Sequence, residues 1–122
     1  MYMFVLFVIG RILLGGYFVY NAYSHFANIQ GLAGYAAMKK VPAAKAAVIT
    51  GGVMLGLGGL AILSNKFAIL GMCLVVLFLI PTTIMMHAFW KEADSQARMM
   101  ERIQFAKNVG LIGALILLIS IG

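Results

Sequence analysis

Four long apolar runs, residues 2–26, 43–63, 67–89 and 105–121, constrain this chain more than any other feature, because together they take up most of its 122 residues. A bilayer core needs about 20 apolar residues per helical crossing, and each run comes close to that length. Only 10% of the residues are charged and 64% are hydrophobic, with a mean hydropathy of +1.05, whereas a soluble domain carries about 25% charged residues. The runs therefore predict an all-α polytopic membrane protein. Its expected form is a single four-transmembrane-helix bundle over residues 1–122, and no room is left for a soluble catalytic domain. The first run has no basic segment before it, carries Arg11 within it and lacks a small-residue cleavage pattern. It is read as a retained span rather than a signal peptide.

The connections differ in character. Ala27 to Pro42 mixes apolar bulk (Leu32, Tyr35, Met38) with polar residues and ends on Val41-Pro42, which predicts a short interfacial helix. Ser64 to Lys66 is only a turn, so the second and third spans are antiparallel neighbours. Lys91 to Gln104 interleaves Glu92, Asp94, Arg98, Glu101 and Arg102 with Met99, Met100 and Ile103. That pattern predicts an amphipathic surface helix capped near Asp94 or Ser95.

The net charge of +6 is spread over loops beside the spans and does not form a basic face for nucleic acid. Lys39, Lys40, Lys45, Lys91, Arg98, Arg102 and Lys107 lie at one end of the predicted bundle, seven against Lys66 alone at the other. The asymmetry predicts cytoplasmic basic loops, with both termini outside a cell membrane. The lone cysteine, Cys73, sits among apolar residues of the third span and is read as packing, since one thiol makes no internal disulfide. Gly52, Gly56 and Gly59 form a small-residue stripe on the second span, and Ala106, Gly110, Gly113 and Ala114 form another on the fourth. Such stripes serve close helix approach, within one bundle or across a homodimer. Pro81 frees the carbonyl of Leu77, with Thr82 and Thr83 beside it to repair or exploit the break.

Arg11 is the costliest residue to insert, about 2.5–3.5 kcal/mol at a helix centre. All three acids, Glu92, Asp94 and Glu101, fall in the third connection, so no carboxylate within a predicted span neutralises it. Arg11 either snorkels toward the outer interface or points into the bundle along the line of Phe18, Ala22 and His25. His25 and His87 are the only histidines, and the topology places both at the same depth. Thr83, His87, Trp90 and Lys91 share helical spacing on the third span, and Glu101, Phe105 and Asn108 do so on the way into the fourth. Two readings of this polar layer stand. One is the ordinary preference of His and Trp for the headgroup zone. The other is a pocket in which an imidazole hydrogen-bonds a carbonyl or quinol hydroxyl and Trp90 or Phe105 covers the ring. The expected ligand-binding set is thus His25, His87, Trp90, Asn108 and Arg11. Haem is disfavoured because glycine stripes draw the helices too close for a porphyrin, and no metal is expected because no acid or thiol stands at ligand spacing inside the spans.

Gly10-Arg11, His25-Phe26, Tyr35 with Lys40-Val41-Pro42, Gly58-Gly59, Pro81-Thr82-Thr83 through His87-Ala88-Phe89-Trp90, and Phe105-Ala106-Lys107-Asn108 follow one another in an order that resembles the DoxX family of small four-helix membrane proteins over nearly the whole chain. Asn21 and Ala88 depart from that pattern, where glycine and asparagine are expected. The resemblance implies a bacterial inner-membrane subunit of a redox-associated complex, working with a redox partner protein and a bound quinone. A non-catalytic membrane scaffold is the alternative reading, and a small-anion transporter a third.

Overall fold

The computed structural model describes residues 1–122, and its order follows the apolar runs. Helices α1 (Tyr2–Ala27), α2 (Ile29–Met38), α3 (Ala44–Ser64) and α4 (Ala68–Met86) are followed by a one-turn 3₁₀ helix, Phe89–Lys91, and by α5 (Ser95–Ile121). Four segments, based on α1, α3, α4 and α5, are long and apolar enough to cross a membrane. Their outward faces carry Leu6, Leu57, Leu70, Leu77 and Leu117, each more than half exposed. An apolar exterior around a small core is what lipid as solvent allows. The chain is a four-helix membrane bundle.

Local chemistry sets the boundaries. Asn28 ends α1 and starts α2, its Oδ1 accepting from the Gly31 amide at 3.3 Å. Lys40 and Ala43 take positive φ values of 64° and 49° on either side of Pro42, which has no amide proton to continue a helix. Asn65 and Phe67, both at φ 57°, form the tight turn between α3 and α4. The interfacial helix expected in the first connection is α2. In the third connection the structure differs from expectation, because the amphipathic stretch is not a separate surface helix. It forms the opening turns of α5, which runs unbroken for 27 residues from the Asp94 cap, where Oδ2 accepts from the Ala97 amide at 2.9 Å. Nothing between Ser95 and Ile121 breaks a helix, and α5 therefore starts ten residues before the predicted span.

Helix α3 is the centre of the packing, with α1 on one side and α4 on the other. A Cβ placed on Gly59 would lie 2.9 Å from the Gly15 carbonyl oxygen, and one on Gly15 would lie 2.9 Å from that of Gly59. Gly58 and Gly71 make the same reciprocal approach between α3 and α4, at 2.8 and 2.9 Å. The glycine stripe of the second span thus does the packing expected of it. The stripe on the fourth does not pack within the chain. A Cβ on Gly110 or Gly113 meets nothing within 4 Å, because α5 turns Glu101, Asn108 and Leu115 inward and leaves its small residues outside. Phe18, Ala22, Leu55, Ile62, Val75, Leu79 and Leu115 form the core. Helix α4 continues through Pro81 to Met86. The Thr83 hydroxyl beside it is buried without a partner, so it does not repair the Leu77 carbonyl.

Candidate functional site

At the end of the bundle crossed by α2, two histidines are held by different means. His25 closes α1 and its Nδ1 lies 3.0 Å from the carbonyl oxygen of Val48 on α3. A carbonyl only accepts, so Nδ1 is the donor in this contact, and in the neutral imidazole Nε2 is then the acceptor. Glycines make room for the ring. A Cβ on Gly51 would lie 3.3 Å from His25 Cε1, and one on Gly52 would lie 3.1 Å from its Cβ. The edge of Phe78 meets the imidazole with ring centroids 5.6 Å apart.

His87 caps α4, and its Nδ1 lies 3.5 Å from Glu101 Oε2, too far for a good hydrogen bond, which leaves that buried nitrogen without a partner. Glu101, only 7% exposed, is the hub of an ionic cluster. Its Oε1 accepts from Tyr35 Oη at 3.0 Å and its Oε2 from Lys39 Nζ at 2.9 Å, while the same ammonium donates to Glu92 Oε1 at 2.6 Å. Arg98 donates twice to the Glu92 carbonyl oxygen, at 2.9 and 3.1 Å, and fixes that loop. Burial, together with the Glu101 carboxylate, raises the Tyr35 phenol above its usual pKa. Burial by itself would lower the Lys39 ammonium, but hydrogen bonds to Glu92 and Glu101 outweigh it and raise Lys39 overall. The cluster joins α2, the third connection and α5 at one point.

Between α1, α4 and α5 lies a cavity of about 200 Å³, with Leu55 of α3 behind it. His25, Thr82, His87, Gln104, Lys107 and Asn108 supply polar groups to its wall. Lys107 Nζ donates to Tyr17 Oη at 3.2 Å across the gap between α5 and α1. Asn108 is 4% exposed, and no side-chain hydrogen bond within the protein involves it. The wall thus offers amide, ammonium and hydroxyl donors together with imidazole acceptors, and no carboxylate lines it.

Of the five residues expected at the site, His25, His87 and Asn108 come together here and two do not. Trp90 is 53% exposed and packs edge-on against Phe89 and Phe105 at 5.2 and 5.7 Å. The face it was expected to share with His87 ends with α4 at Met86, and the 3₁₀ turn points the indole away from the cavity. Phe105 likewise belongs to this outer aromatic cluster and does not line the cavity. Arg11 stands about 21 Å from His25 along α1, fourteen residues at 1.5 Å each, and its Cζ lies 5.4 Å from the Phe7 ring centroid, one turn toward the N-terminus. Its Nε is buried without a hydrogen-bond partner. Glu101 corrects another expectation, since it lies within the long helix α5 and not in a separate surface helix of the third connection, although at the opposite end from Arg11. Sequence reasoning missed Tyr35, Lys39 and Glu92 as its partners. The available signal was the seven-residue spacing of Glu101, Asn108 and Leu115, which puts a carboxylate on the buried stripe of a helix.

The family model of the TMEM101 protein family matches residues 3–120. The chain belongs to the TMEM101 protein family. This overturns the resemblance to the DoxX family, whose blocks were short and met demands common to small membrane bundles. Those demands are glycine at close helix contacts, proline within a span, and His and Trp near the headgroups. The redox partner and the bacterial complex were expected through that resemblance and lose its support. No curated protein and no solved structure matches this TMEM101-family chain.

Proposed function

We propose that this TMEM101-family chain is a membrane-embedded binding protein whose cavity takes a small molecule bearing hydrogen-bonding oxygens, with a quinone-like ring as the type. The carrying observation is Asn108, a buried amide on the cavity wall with no partner in the protein. Its amide stays open to the cavity, where a ligand oxygen can accept from it. Lys107 adds a charged donor, and the His25 Nε2 lone pair adds an acceptor for a ligand hydroxyl. The basic asymmetry of the connections supports placing this end of the bundle in the cytoplasm, with both termini outside.

The exposed Met99, Met100 and Ile103, each 55–57% accessible on the opening turns of α5, favour a second reading in which the chain is a scaffold for a partner protein. Mass spectrometry of small molecules that copurify with the protein in mild detergent separates the two. The binding reading predicts an oxygen-bearing molecule released on denaturation and lost in Asn108→Leu. Protein that carries nothing beyond bulk lipid supports the scaffold.

A further inference from the structure

A second and larger cavity, about 520 Å³, lies between α2, α3 and α4 and shares part of its wall with the first. Its lining is of the opposite character. Leu32, Ala46, Ala47, Leu77 and Pro81 give it an apolar surface, the alanines leave it wide, and no charged side chain lines it. His25, Phe78, Thr82 and His87 border both spaces, so the polar cavity and the apolar groove adjoin at these four side chains. Gly51, which also borders the groove, leaves the Phe78 ring the room it occupies in that layer.

We infer that the groove holds the apolar tail of the molecule whose head occupies the polar cavity, so the ligand class is an amphiphile with an oxygen-bearing head and a long hydrocarbon or isoprenoid tail. The inference rests on the binding reading above. Its occupant comes from the bilayer, because the groove is built largely on α3 and α4, two of the spanning segments. A polar peptide strand would leave its backbone groups unpaired against this wall. An ordinary acyl chain would fill the groove but would make no use of the two imidazoles and the hydroxyl at its inner end. A tailed ligand uses both, burying its chain against apolar surface at about 25 cal/mol per Å² while its head meets the donors beyond.

A benzoquinone with a decyl tail ending in a diazirine tests the assignment on full-length protein in phosphatidylcholine nanodiscs. After irradiation, mass spectrometry should place the label on residues 43–47 and 77–85, and excess tail-less benzoquinone should reduce it roughly tenfold. Ala47→Phe, which fills the groove from a position outside the lining of the polar cavity, should abolish that labelling while tail-less benzoquinone binds as to the parent in calorimetry. Label spread evenly over the lipid-facing sides of the spans overturns the tail site and leaves the head site standing. Groove labelling that tail-less benzoquinone does not reduce assigns the groove to a lipid chain and breaks the link between the two spaces. Absence of saturable tail-less binding to the parent overturns the head reading, and the tail inference with it.

Discussion

Glu101 holds Tyr35 and Lys39 by hydrogen bonds and approaches His87, so its carboxylate fixes one wall of the cavity. Glu101→Gln keeps the shape and removes the charge, leaving the Lys39 ammonium with Glu92 alone. Loss of one partner from a largely buried charge cluster costs about 3 kcal/mol, and thermal melting in detergent should show a clear drop in Tm. The cluster also sets an alkaline limit. Lys39 has its pKa raised by folding, so its contribution is complete below the ordinary lysine value of 10.5 and is lost as pH rises past it. The raised Tyr35 phenol acts in the same direction. Melts at pH 8 and pH 11 should therefore differ for the parent and differ less for Glu101→Gln. His25, His87 and Asn108 were legible at this scale, because depth in a membrane follows from span boundaries. Trp90 was not, since one 3₁₀ turn after Met86 changes the direction of every following side chain.

The contrast between the two glycine stripes is a property of whole helices. On α3, Gly59 meets both Val19 Cγ2 and the backbone of α1, so an added methyl would have to displace backbone as well as a side chain. Gly59→Ala should destabilise the bundle by about 1–3 kcal/mol as an overpacked contact. Gly113→Ala, facing open space on α5, should be neutral or stabilising by up to about 1 kcal/mol, as expected for Gly→Ala in a helix. Chemical denaturation of the two variants side by side reads the difference. The spacing of small residues was visible in both spans, but spacing alone does not say which face meets a neighbour. The buried stripe of Glu101, Asn108 and Leu115 settles that for α5. It was obscured because the charged residues read as a separate surface helix capped near Asp94 or Ser95, when they are the opening turns of one helix that runs on into the span.

For the whole molecule, the proposal that the α2 end faces the cytoplasm rests on four spans and the basic residues gathered at that end. Reporter fusions at Asn65 and Gly122 should both read outside, and a cytoplasmic signal at either would reverse the orientation. The number of spans was legible because hydropathy over about 20 residues is a strong signal. Membership of the TMEM101 family was not, because packing glycines and interfacial aromatics are shared by unrelated bundles. The account turns on whether the space between α1, α4 and α5 binds a small oxygen-bearing ring, and calorimetric titration of the purified protein with tail-less benzoquinone measures this most directly. One saturable site per chain is predicted, weakened roughly tenfold in Asn108→Leu and in His87→Ala and unchanged in Cys73→Ala. No saturable binding, or equal binding by all of these variants, would contradict the account.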